Sequence, residues 1–73
     1  MLNTEEFGRR LAELRHKMGK KQHEVAYELG VTPQAVSKWE RGLSCPDILI
    51  LDDLAKSLGV TISDLFEQEN HIA

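Results

Sequence analysis

The sequence predicts an all-α fold of five short helices joined by short connections. Three observations carry that prediction: apolar residues recur at the 3.6-residue helical period, no stretch alternates with period two, and four of the five glycines stand just beyond an apolar stripe. In helix 1, Phe7, Leu11, Leu14 and Met18 form one stripe, with Thr4 as the expected N-cap, Glu5 and Glu6 in the first turn and Gly19 after the last residue. Helix 2 carries the shorter stripe Val25, Ala26 and Leu29 and stops at Gly30. The turn Gly30-Val31-Thr32 leads to helix 3, where Thr32 is the N-cap and Pro33 takes the first helical position, at which its missing N–H costs nothing. Val36 and Trp39 face inward from helix 3, which ends near Arg41 because Gly42 accepts the left-handed conformation that closes a helix. Asp47 is the expected N-cap of helix 4; its buried stripe is Ile48, Leu51, Leu54, Ala55 and Leu58, and Gly59 ends it. Thr61 and Asp64 have capping-box spacing at the start of helix 5, with Ile62, Leu65 and Phe66 closing the core. Residues 1–67 read as one domain and 68–73 as a short tail without pattern.

Seventy-three residues make a domain that buries only about 60% of its unfolded surface, which leaves little volume for an enclosed substrate pocket. No enzymatic role is expected. An apolar fraction of 41% with 29% charged residues is globular in character rather than disordered. The longest apolar run, Ile48 to Leu51, is far short of the roughly 20 residues that span a bilayer, so no membrane partner is expected. No leader-like segment opens the chain, and the single Cys45 closes no internal disulfide, which points to the reducing cytoplasm. A packed core must hold such a fold by itself.

The net charge of -3 runs against nucleic-acid binding until its distribution is read. Residues 1–41 hold eight of the nine Lys and Arg against six acids, whereas residues 42–73 hold Lys56 against six acids. Between Arg9 and Lys21 stand six basic residues and the single acid Glu13. That local excess suits a polyanion, with the acidic half facing away; a solvated basic helix face is the other reading of the same residues.

A helix, a short turn with glycine and a second helix with a polar outer side match the helix-turn-helix motif, whose second helix lies in the major groove of DNA. Residue chemistry sharpens the match. Ala26 is small where two helices cross, Gly30 supplies the turn, and Val36 and Trp39 bury one side of helix 3. The opposite side carries Pro33, Gln34, Ser37 and Lys38. Gln pairs in bidentate fashion with adenine, Lys reaches guanine or a phosphate, and Ser bonds either.

Over residues 6–66 the chain resembles the Cro and phage-repressor type of helix-turn-helix domain, also called the XRE family. The resemblance rests on Gly8, Leu11, Leu14-Arg15, Gln22, Glu24-Val25-Ala26, Leu29-Gly30-Val31-Thr32, Val36 through Gly42, Pro46, Leu51, Leu54-Ala55, Leu58-Gly59-Val60 and Asp64-Leu65. It implies a five-helix lambda-repressor-like domain that binds a double-stranded DNA operator through helix 3, about residues 33–41. It also implies a homodimer on two half-sites and a role as a transcriptional repressor, with no cofactor and no small-molecule substrate. By the same resemblance, Gln22 reaches a phosphate and braces helix 3, and Gln34, Ser37 and Lys38 occupy base-reading or phosphate positions. Thr32 and Pro33 sit at the groove-entering end, Arg41, Gly42 and Ser44 on a loop that touches the backbone, and Arg15 and Glu40 form a partly buried ion pair. Two residues depart from the family pattern. Lys21 stands where Ser or Thr usually caps helix 2, adding a cation beside the expected phosphate. Pro33 brings neither an N–H nor a polar side chain to the groove, and its expected role is to start the helix. A protein-interaction module of the same fold, antitoxin-like or scaffolding, stays open as the alternative, because fold does not settle function.

Other residues invite readings that their spacing does not support. Cys45 with His16, His23 and His71 shows no metal-ligand spacing, and no acid-base or oxyanion pattern supports a nucleophile. Trp39, three residues from Val36, belongs to the core rather than to a base-stacking surface, and Asp52-Asp53 diverge by about 100 degrees on a helix. Leu49 and Ile50 lie off the helix 4 stripe. With the Phe66 region they are expected to form an association surface, for a second copy or a further segment of chain; the alternative packs Ile50 against helix 5 and leaves Leu49 singly exposed.

Overall fold

Three of the five helices begin where the sequence supplies a side-chain acceptor for first-turn N–H groups that have no partner within the helix. The computed structural model describes residues 3–66, and these form α1 (Thr4–Lys17), α2 (Gln22–Leu29), α3 (Pro33–Glu40), α4 (Leu51–Leu58) and α5 (Ile62–Phe66), with a 3-10 turn at Ile48–Ile50 leading into α4. Asn3 rather than Thr4 caps α1: its Oδ1 accepts from the Glu6 N–H at 2.8 Å, and Thr4 is already helical. Thr32 Oγ1 accepts from the Ala35 N–H at 3.1 Å, with Pro33 in the first turn of α3. Thr61 and Asp64 cap α5 reciprocally, at 3.0 and 3.2 Å. Lys21 has no acceptor to offer α2, and the Glu24 carboxylate instead accepts from the Lys21 N–H at 2.7 Å, half of a capping box. Gly30, at φ 73°, ends α2 in the left-handed region and lets the Val31 N–H return to the Ala26 carbonyl at 3.0 Å.

The core is built from Phe7, Leu11 and Leu14 of α1, Val25 and Ala26 of α2, Val36 and Trp39 of α3, Leu54, Ala55 and Leu58 of α4, and Leu65 of α5. Helix α3 packs against α1 and α2, α4 packs against α2, and α5 packs against α1 and α4. Gly8 makes the first of these contacts possible. A Cβ there would overlap the carbonyl oxygens of Trp39 and Glu40, so the backbones of α1 and α3 meet where only glycine fits. One residue before Gly8, the rings of Phe7 and Phe66 stack with centroids 5.3 Å apart.

Three residues expected in the core are not there. Ile48 is 77% exposed, Ile62 is 41% exposed, and Met18, the C-cap of α1, is 45% exposed. All three stand at the first or last turn of an element. In α4 the buried residues are Leu54, Ala55, Ser57 and Leu58, none of them among its first three positions. Asp47 accordingly caps the 3-10 turn, through an Oδ1 bond from the Leu49 N–H at 2.9 Å, and not α4 itself. The expected association surface is also redrawn. Ile50 and Phe66 are partly buried and packed on the core, while Leu49 is 86% exposed with Ile48 as its exposed neighbour. The tail expected at 68–73, with His71, lies outside the described residues. No helix among the described residues is long and apolar enough to cross a membrane.

Candidate nucleic-acid interface

Helix α3 is amphipathic over two turns: Val36 and Trp39 are buried, and Pro33, Gln34 and Lys38 are exposed on the other side. Among the described residues, the side chains of Gln34 and Lys38 have no hydrogen-bond or ion-pair partner. Ser37 is half-buried, and Arg41 Nε donates to its Oγ at 3.2 Å and to its carbonyl at 3.4 Å. The Thr32 hydroxyl oxygen is committed to its cap bond, which leaves the hydroxyl proton to donate. Arg41 and Ser44 are exposed on the loop after α3, and Gly42 backs onto Glu5, whose Cα would lie 3.0 Å from an added Cβ.

The far end of α3 is tied to both α1 and α2. Arg15 Nε and Nη2 donate to the two oxygens of Glu40 at 2.6 and 2.9 Å, a planar fork-to-carboxylate pair. Arg15 Nη1 donates to the Lys20 carbonyl at 2.9 Å, and Gln22 Nε2 donates to Glu40 Oε1 at 2.9 Å. The Arg15 and Glu40 side chains are only 11% and 7% exposed, and the hydrogen bond to Glu40 holds the guanidinium above its ordinary pKa, with the carboxylate charge adding and burial opposing. Arg15 is therefore a permanent cation directed inward. The Gln22 bond links the start of α2 to the end of α3, and its second amide N–H has no partner among the described residues.

A second polar knot, with no trace in the residue spacing, joins α2 to α4. Lys20 Nζ donates to Glu28 Oε1 at 2.9 Å and to the Ser57 carbonyl at 2.7 Å, and Ser57 Oγ donates to the same Glu28 oxygen at 2.6 Å. The bond from Ser57 and then that from Lys20 hold the Glu28 carboxyl below its usual range, against a small opposing effect of burial. The basic stretch is thereby divided. Arg15 and Lys20 are engaged internally and Arg10 Nε donates to the Asp64 carbonyl at 3.0 Å, whereas Arg9, Lys17 and Lys21 are exposed.

Between the starts of α2 and α3 lies a shallow open furrow lined by Arg15, Lys21, Gln22, His23 and Pro33. It continues past His23 and Pro33 to Val31 and the exposed Tyr27. His23 is exposed and lines both stretches of this furrow. Among the described residues no three His, Cys, Asp or Glu side chains are grouped to hold a metal ion.

A family model described as helix-turn-helix matches residues 11–65. The HTH-type transcriptional activator BcrR of Enterococcus faecalis is 36% identical over 67 residues, which are 92% of this chain and 33% of that protein, so the chain spans a third of that relative's length. Among solved structures, the restriction-modification controller protein C.AhdI of Aeromonas hydrophila superposes with a TM-score of 0.81 at 32% identity, over 86% of this chain and 91% of that one. The P22 c2 repressor protein, solved in complex with a synthetic operator, gives 0.78 at 30% identity, over 84% and 92%. With α2, the Gly30 turn and α3 arranged as the motif requires, the chain belongs to the helix-turn-helix family, in its Cro and phage-repressor class.

Proposed function

We propose that this chain is the sequence-specific DNA-binding part of a transcription regulator, a repressor in the cytoplasm that places α3 in the major groove of an operator. One observation carries the reading: α3 is anchored on its inner side by Val36, Trp39 and the Arg15–Glu40–Gln22 bonds, and its outer side presents Gln34 and Lys38 unpartnered. A rigid helix with free amide and ammonium groups is what direct readout of base edges requires. Lys21, the second N–H of Gln22, Arg41 and Ser44 flank it as phosphate donors, with Thr32, Pro33, Ser37 and Gly42 shaping the contact. Arg41 holds Ser37, so the pair acts as one unit and Ser37 supports the reader more than it reads. Relatives bearing the names activator and repressor both support regulation, and repression follows from occupancy of the site alone.

The domain acts as a homodimer on two half-sites, with Leu49 and Ile48 at the contact. The test of readout compares two variants on a duplex enriched from a randomised pool and on random duplex. Gln34→Ala is expected to lose about 1–3 kcal/mol of discrimination at one base pair. Lys38→Ala is expected to weaken binding to every sequence and to reduce the salt slope by about 1. Equal losses on both duplexes for Gln34→Ala would contradict the assignment of that residue.

A further inference from the structure

We infer that the Lys20–Glu28–Ser57 knot sets which spacing between half-sites the dimer accepts, by fixing the angle between the helix-turn-helix and α4. The inference rests on the DNA-binding homodimer proposed above and adds to it the residues that decide how two copies are placed along the operator.

Reading and association stand on different elements. The proposed reader α3 is tied to α1 and α2, whereas Ile48 and Leu49, the proposed contact between copies, lie at the head of α4. The distance between two reading helices on DNA therefore depends on how α4 is held against α2 and α3. Apolar packing joins α4 to α2, and because such contact is non-directional it tolerates small rotations. Hydrogen bonds are directional. Among the described residues, the hydrogen bonds between α4 and residues 20–40 are the two made by Ser57. Its carbonyl accepts from Lys20 Nζ at 2.7 Å, and its hydroxyl donates to Glu28 Oε1 at 2.6 Å. The Lys20–Glu28 pair, at 2.9 Å, closes the triangle. Ser57 lies in the last turn of α4, where carbonyls have no partner within the helix and a cation is favoured. It is 7% exposed, and a buried polar bond contributes little net stability against an apolar replacement, its best-attested use being to fix register. From Ser57 to Leu49 the chain runs about 12 Å along the helix axis, so a small tilt at the knot displaces the contact between copies.

The experiment measures binding of the intact chain at neutral pH to duplexes that carry the enriched half-site once, or twice at the enriched spacing and at spacings one base pair shorter and longer. One base pair shifts a half-site by about 3.4 Å and turns it by about 34 degrees around the duplex. The parent is expected to lose about tenfold in affinity on either shift. Ser57→Ala and Glu28→Gln are expected to lose about threefold or less, while binding the single half-site as the parent does. Thr61→Ala, which removes the α5 cap and lowers the melting temperature without touching the knot, should keep the parent's dependence on spacing. A penalty as large in Ser57→Ala as in the parent, a parent indifferent to spacing, or equal relaxation in Thr61→Ala would overturn the inference and leave DNA binding intact. Loss of single half-site binding in both knot variants would overturn it too, by showing that the knot holds the fold rather than the spacing. A paired site bound no more tightly than a single one at every spacing would overturn the homodimer and this inference with it.

Discussion

Glu40 accepts three hydrogen bonds from two side chains, and removing its carboxylate strands the Arg15 guanidinium in a nearly buried position. Breaking a buried pair from one side costs about 3–5 kcal/mol, a large part of the stability of so small a domain. Glu40→Ala should therefore unfold much of the protein, seen as a collapse of the urea midpoint, and Arg15→Met with Glu40→Leu should be better tolerated than either change alone. An unaltered midpoint in Glu40→Ala would contradict the brace. Glu28 adds a dependence on acid. Its pKa is lowered by folding, so its contribution is present above the ordinary glutamate range and is lost as pH falls through the folded value. Glu28→Gln should flatten the loss of thermal stability between neutral and acid pH, by a modest amount because the carboxylate is largely exposed. An acid limb as steep as that of the parent would show that Glu28 does not carry it.

At the scale of elements, the α1–α3 contact depends on the missing side chain of Gly8. Gly8→Ala gains about 1 kcal/mol of intrinsic helix preference and forces a methyl group onto two backbone carbonyls that cannot retreat without moving α3. The expected outcome is a lower melting temperature and weaker DNA binding together; a variant as stable as the parent would mean that the helices part without cost. The caps at Thr32 and Thr61-Asp64, the glycine stops and the inner side of α3 were all legible in the sequence, because each depends on residues within one turn of each other. The misplaced residues have a common cause. Periodicity assigns Ile48, Ile62 and Met18 an angle about a helix axis, but burial also needs cover from packed neighbours, and at these element ends all three stay exposed. The Lys20–Glu28–Ser57 knot was illegible for the opposite reason: its members lie on three separate segments, and only the packed fold brings them together. The Arg15–Glu40 pair spans 25 residues and was anticipated through family resemblance, not through spacing.

For the whole molecule, a single recognition helix reads few base pairs, and two copies on adjacent half-sites double the information. The exposed Leu49 and Ile48 offer a patch of a few hundred Å² at most, against about 800 Å² per partner in a stable interface. The chain is therefore expected to be a monomer in solution at micromolar concentration and a dimer assembled by DNA, with steep binding that Leu49→Glu makes shallow without changing the melt. Steepness unchanged in that variant would move the contact elsewhere. Selection of bound duplexes from a randomised pool by the intact chain, at low and moderate salt, decides whether α3 reads DNA sequence. The expected outcome is enrichment of an inverted repeat with half-site centres one helical turn, about 34 Å, apart. A pool that stays random, with no salt-dependent binding to any duplex, would contradict it and turn the search to a protein partner for the exposed side of α3.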